Sequence, residues 1–179
     1  MVADTLAAEA DGVIRRTGEG EYEIVFRRRI RKPLEKVWAA LTVPERIADW
    51  LGVVTPQEAG ELVVGGRFEL RFPHNNDYRT PCQVVAVEPP RLFAWTWGLP
   101  AEGASLANAI RFELAPDGDG CVLTLTNPGL VRPDLESVAA GWHTHLDALP
   151  GAADGVFTAW SRDAEAVHLA RYRDAIASL

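Results

Sequence analysis

Between Pro133 and Leu149 the chain carries Leu135, Val138, Ala139, Trp142, Leu146 and Leu149. At 100° per residue these side chains fall within about 60° either side of one line, so they form a single apolar stripe on a helix. Arg132-Pro133-Asp134 is its start signal, because proline in a first turn gives up no helical hydrogen bond. A stripe this long, with an indole in its middle, has to be covered. The chain upstream reads as short strands with one apolar face each, and such a sheet needs the same cover. The expected architecture is an antiparallel sheet packed on one long helix.

The strands show as alternation. Tyr22, Ile24, Phe26, Arg28 and Ile30 alternate with Glu23, Val25, Arg27 and Arg29, and the basic run here reads as a solvated edge. Phe68, Leu70 and Phe72 alternate with charged Arg67, Glu69 and Arg71 after a Gly65-Gly66 turn, within a segment from Glu61 to Pro73. Cys82 to Glu88 is valine-rich and broken by Pro89-Pro90; Leu92 to Trp97 follows, with Phe93, Trp95 and Trp97 on one face. Ile110, Phe112 and Leu114 lead through the hairpin turn Asp117-Gly118-Asp119-Gly120 into Cys121, Leu123 and Leu125, with Asn127-Pro128-Gly129 ending the sheet. That makes about six strands, most of them sequential neighbours. His74-Asn75-Asn76-Asp77 reads as an exposed polar turn and not as a metal site.

Two short helices interrupt the strands, opened by Pro33 and Pro44; the second carries Ile47, Trp50 and Leu51 and stops at Gly52. Residues 1–20 show no clear period and read as a loose arm with a short strand at Val13-Ile14. After Leu149-Pro150-Gly151, the segment Phe157 to Leu179 reads as a last helix whose apolar side is Phe157, Trp160, Ala164, Val167, Tyr172 and Ile176. It either lies back on the domain or meets a second copy. The division expected is an arm over 1–20, a domain over 21–150 and a helical extension over 151–179.

The 179 residues suit one domain with a core. The formal charge of −7 argues against nucleic acid or an anionic membrane as partner, since both select basic surfaces. No window is long and apolar enough for a membrane span, and the first residues lack the apolar core of a secretion signal, so a cytoplasmic location is expected. Cys82 and Cys121 are far apart and read as two buried thiols.

Four blocks, in order, give the chain a resemblance. They are Pro33 with Val37-Trp38-Ala39-Ala40-Leu41-Thr42 and Pro44 to Leu51; Gly65-Gly66-Arg67-Phe68; Glu88-Pro89-Pro90-Arg91-Leu92 with Trp95 and Trp97; and Gly141-Trp142 with Leu146 and Leu149. Between Tyr22 and Leu149 the chain resembles proteins related to the C-terminal domain of the Hsp90 ATPase activator, within the START-like, or SRPBCC, superfamily. The resemblance implies an α+β helix-grip fold, a curved antiparallel sheet wrapped around a long C-terminal helix with two short helices. It also implies an apolar cavity between sheet and helix, which the superfamily uses for lipids, polyketides and similar molecules. Twenty residues ahead of Tyr22 leave no room for the activator's chaperone-docking domain, so Hsp90 is not expected as a partner.

The lining expected for such a cavity is Trp50, Phe68, Leu70, Phe72, Phe93, Trp95, Trp97, Phe112, Leu123, Leu125, Trp142, His145 and Leu146. His143 and His145 point about 160° apart on one helix and so cannot share a metal. Asp147 points away from the stripe and is expected in solvent. No triad, phosphate loop or paired carboxylates stand out, no cofactor is implied, and His145 is the single candidate acid or base. The favoured function is therefore binding of a hydrophobic small molecule, lipid- or polyketide-like. An enzyme of cyclase, dehydratase or hydrolase type using the same cavity is one alternative. A module that dimerises through its C-terminal helix is another.

Overall fold

The computed structural model describes residues 11–57 and 62–179. The expected looseness of residues 1–10, and the start of the Glu61 segment, lie outside them. Eight strands form one sheet: β1 Val13–Arg16, β2 Glu21–Ile30, β3 Val53–Pro56, β4 Arg67–Phe72, β5 Tyr78–Glu88, β6 Leu92–Trp97, β7 Ala109–Asp117 and β8 Gly120–Val131. Their order is β1-β2-β8-β7-β6-β5-β4-β3, antiparallel throughout. Only β2 and β8 pair across a long stretch of chain. With a long helix and short ones on its concave side, this is the α+β helix-grip architecture.

The strands exist where alternation lets one face go dry. Phe68, Leu70 and Phe72 on β4, Ile110, Phe112 and Leu114 on β7, and Cys121, Leu123 and Leu125 on β8 are all buried. Two strands go beyond the six expected. β1 extends the short Val13-Ile14 segment, and β3 is a four-residue edge strand with only Val54 buried, too short to show a period. β8 also runs past Asn127-Pro128-Gly129 to Val131. One extra residue is absorbed there opposite Tyr22 and Ile24, and Gly129 takes a φ of +68°, so the Pro-Gly pair makes a bulge instead of an end. Both cysteines are free and buried, and burial pushes the Cys82 thiol up to about 12.

The helices are α1 Leu34–Thr42, α2 Pro44–Ile47, α3 Leu135–Ala152 and α4 Arg162–Ala177. The second is shorter than expected; the chain then turns, and the Trp50 indole N–H donates to the Ala40 carbonyl (2.9 Å), tying this turn to α1. α3 carries the stripe. It continues through Pro150 to Ala152, so the boundary drawn at 150 falls inside a helix. None of the helices among the described residues is long and apolar enough to cross a membrane.

The last segment departs most from its pattern. Residues 156–161 are not helical, and α4 begins after Ser161, whose hydroxyl caps the Ala164 N–H at 3.2 Å. Phe157 and Val167, expected on the buried side, are 66% and 61% exposed. α4 instead runs antiparallel beside α3, held by Arg132 to the Ile176 carbonyl (3.0 Å), Arg173 to Glu136 (2.6 Å) and a buried contact between Tyr172 and His143. The Tyr172 hydroxyl also accepts from the Gly12 N–H at 2.8 Å, joining α4 to the segment before β1. Replacing Tyr172 with Phe removes both bonds at a buried site and should cost about 1–3 kcal/mol in urea unfolding. Phe157→Ser should stay within about 0.5 kcal/mol of the parent.

Candidate functional site

The interior between the sheet and the α3 stripe is filled. Trp50, Phe68, Leu70, Trp95 and Phe112, all expected to line a cavity, surround a crevice of only about 10 Å³, room for one water at most. Phe93 borders the same crevice. Leu123, Leu125 and Leu146 do not border this crevice and are packed in the core. The reason is size: rings from β4, β6, β7 and the turn after α2 meet at 5.7–6.2 Å, Phe68 on Trp95, Trp95 on Phe112 and Phe112 on Trp50, and leave almost nothing between them.

The open space lies to one side. A half-open cleft of about 740 Å³ runs along the flank of α3, and of the expected lining it holds Phe72, Trp97, Trp142 and His145. The helix contributes Ser137, Val138, Gly141, Trp142 and His145, with Asp134 just ahead of it, a line rotated by about one residue from the apolar stripe. Opposite stand Phe72, His74, Asn75 and Tyr78 from the β4–β5 turn, Pro100, Glu102 and Asn108 from the β6–β7 loop, and Asn127 to Leu130 of β8. Trp160, Arg162 and Glu165 close one end. Gly141 is the gap in the helix surface: a Cβ placed there would meet nothing within 4 Å.

Aromatic rings make up much of the wall. Trp97 lies 5.6 Å from Phe72, stacked, and 6.2 Å from Trp142, edge on. The Trp142 indole N–H is satisfied by Asn127 Oδ1 at 2.8 Å, and the ring, largely buried against Trp97 and Phe112, borders the cleft. His74 is not a solvent residue as its turn suggests. Its ring stacks on Trp160 (4.3 Å, 13°), stands 5.6 Å from His145, and burial lowers its proton affinity. Trp160 and His74 are contacts between segments 86 positions apart, which no local pattern reveals.

The two histidines of α3 have separate surroundings. His145 is buried, and its Nδ1 lies 2.8 Å from the Trp50 carbonyl. Burial drives its pKa down to about 4; the Trp50 carbonyl bond works against that shift, and His74 adds to it. His143 faces α4, with Nδ1 at 2.8 Å from the Tyr172 hydroxyl and its ring stacked on His168 at 3.7 Å. Burial, then Arg28, then His168 hold its pKa down as well. Asp147 is half exposed as expected, but it is paired: Arg28 reaches Oδ1 at 2.8 Å and His168 reaches Oδ2 at 3.1 Å.

Among the described residues, His143, Asp147 and His168 bring three potential metal-ligand atoms within 4.8 Å of one another. The rings are stacked nearly parallel, 17° apart, so their lone pairs run side by side and do not converge. Arg28 also already holds the carboxylate. The cluster is an α3–α4 clasp in its chemistry, and His143 does not reach the cleft.

A family model described as activator of Hsp90 ATPase homolog 1-like protein matches residues 31–154. No curated protein is similar enough in sequence to be matched. Among solved structures, CalU16 from Micromonospora echinospora is 22% identical and superposes with a TM-score of 0.70, over 93% of this chain and 97% of that one. Protein MLL2253 from Mesorhizobium loti is 28% identical, with a TM-score of 0.62 over 74% of this chain and 96% of its own. DynU16, described as a putative protein in the dynemicin biosynthetic locus, is 19% identical, with a TM-score of 0.59 over 77% of this chain and 48% of that one.

The His145 environment fixes a pH dependence. Its folded pKa lies below that of an unfolded histidine, so between about pH 6.5 and 4 the unfolded chain binds the extra proton. Stability is therefore fully present above about pH 6.5 and falls on acidification, by on the order of 3 kcal/mol for this residue by pH 4. His143 acts in the same direction. Urea unfolding across this range should show that slope, and His145→Asn should flatten it.

Proposed function

The chain belongs to the activator of Hsp90 ATPase homolog 1-like family, among SRPBCC-type proteins, and on that premise we propose that it binds an apolar, ring-containing small molecule in the cleft beside α3. The observation that carries this reading is the cleft itself: about 740 Å³, walled by Phe72, Trp97, Trp142 and Trp160, beside a helix left bare at Gly141. That volume lies in the range of small-molecule sites. A long acyl chain suits it less well, because the deep interior that such a chain would thread is packed solid. The charged lining, Glu102, Asp134 and Glu165 against Arg162, also disfavours a fatty-acid anion. A polyketide-like or other flat conjugated ligand fits better. The description of DynU16 by a biosynthetic locus supports the same direction.

Binding is preferred to catalysis on the strength of one group. His145 is the acid–base candidate in the cleft wall that the sequence singles out, and a ring held near a pKa of 4 is a poor proton acceptor at neutral pH. Chaperone activation is not part of this reading, which needs no partner protein.

Gly141 supplies the test, because a side chain there enters the cleft without touching the core. Gly141→Ala should raise stability by roughly 0.5–1 kcal/mol, as expected for removing glycine from a helix interior. Gly141→Leu should keep the fold and reduce uptake of an apolar fluorescent naphthalene probe at least about tenfold. Uptake by Gly141→Leu equal to that of the parent would place the bound probe somewhere else and remove the reading.

A further inference from the structure

Among the described residues, one nitrogen of the buried His145 ring has no protein partner in the aromatic part of the cleft wall. Its Nδ1 lies 2.8 Å from the Trp50 carbonyl oxygen, which can only accept, so Nδ1 carries the ring hydrogen. In the uncharged ring Nε2 then has a bare lone pair on the opposite edge. Among the described residues nothing donates to it, and it is not one of the sealed polar atoms lacking a partner, so it meets the cleft that His145 lines. Trp160 at 4.5 Å, Phe72 at 5.9 Å and Trp142 at 6.4 Å crowd the ring.

We propose that His145 determines the specificity of the cleft, and that the ligand is a flat conjugated ring system carrying a hydroxyl donor at its edge, a phenol or an enol. This rests on the cleft-binding reading above and deepens it. A ligand that fills the cleft strips water from Nε2. If it brings no donor, a desolvated acceptor is left unpaired, which costs more than the bond itself is worth in water. A ring hydroxyl restores the bond while the ring face meets Trp97 and Trp142. A ring carboxylate does not, since it cannot donate when ionised and it faces Glu165 and Glu102 besides. The titratable and charged groups nearest His145 are His74 on the β4–β5 turn and Glu165 and Arg162 on α4. None of them is hydrogen-bonded to Nε2.

The test is calorimetric titration of the whole chain, near neutral pH, with 2-naphthol, 2-methoxynaphthalene and 2-naphthoate. 2-Naphthol should bind about tenfold more tightly than its methyl ether, and 2-naphthoate most weakly. In His145→Asn the shorter amide keeps a donor for the Trp50 carbonyl and has no atom where Nε2 was. Its affinity for the naphthol should fall to that for the ether. Equal affinities of the parent chain for naphthol and ether would overturn the inference and leave the cleft reading standing; binding of none of the three would remove both. A second measurement does not depend on the variant's folding. Imidazole nitrogen NMR shifts of the free protein should show the hydrogen of His145 on Nδ1, and a hydrogen on Nε2 would overturn the assignment.

Discussion

α3 is buried over more of its surface than its apolar residues can account for. The stripe of Leu135, Ala139, Trp142, Leu146 and Leu149 faces the sheet, yet His143, Thr144 and His145 are buried too. Buried polar groups need partners, because an unmet donor or acceptor away from water costs about as much as a typical bond contributes, or more. The rest of the molecule is arranged around meeting that demand. Thr144 turns back to the Ala140 carbonyl at 2.9 Å. His143 needs Tyr172, and so α4 must lie where it does. His145 needs the Trp50 carbonyl, and so the turn after α2 must be pinned, which the Trp50 indole bond to Ala40 accomplishes.

The position of the cleft follows from this arrangement. The sheet is filled by large rings directly under the stripe, so no space is left on the axis of the grip. On one flank α4 closes against α3. On the other flank the wall is set by the β4–β5 turn and the β6–β7 loop, which stand off from a helix surface that has glycine at its middle. A hollow survives where a bare helix flank faces loops, and not where a side-chain-rich face meets a sheet. The crossing segment before α4 then sets Trp160 at one end of the opening, with the Thr158 N–H donating to the Asp49 carbonyl at 3.0 Å.

Much of the fold could be read in the chain because period and turn chemistry are local. The β4, β6, β7 and β8 alternations, the Asp-Gly hairpin and the α3 stripe each declare themselves within a dozen residues. β3 escaped because four residues at a sheet edge have too little buried surface to impose a pattern. Phe157 and Val167 were placed on a buried face because apolar residues in a helical register look the same whether or not anything covers them. The site was less legible. Phe72, Trp97, Trp142 and His145 stood out as aromatic or titratable, but Trp50, Phe68, Leu70, Trp95, Phe112, Leu123, Leu125 and Leu146 have the same character and fill the core. Alternation tells which face is dry; it does not tell whether the dry space is full. His74 was hidden by its polar turn, and Trp160 was placed on the apolar side of the last helix, whereas it precedes that helix and stacks on His74.

The comparison of His143 with His145 shows what separates structure from function here. They are the same residue, two apart on one helix, both nearly inaccessible, and both driven toward the neutral form by burial. The partner on Nδ1 makes the difference. His143 Nδ1 meets the Tyr172 hydroxyl, a group that both donates and accepts, and its Nε2 points toward Asp147 at 3.8 Å. Both nitrogens of His143 thus face groups of the protein itself. His145 meets a carbonyl, which forces its hydrogen onto Nδ1 and leaves a lone pair that no group among the described residues takes up. An acceptor kept open beside the Trp160 and Trp142 rings is a recognition element, and its chemistry is complementary to a donor that a ligand would bring.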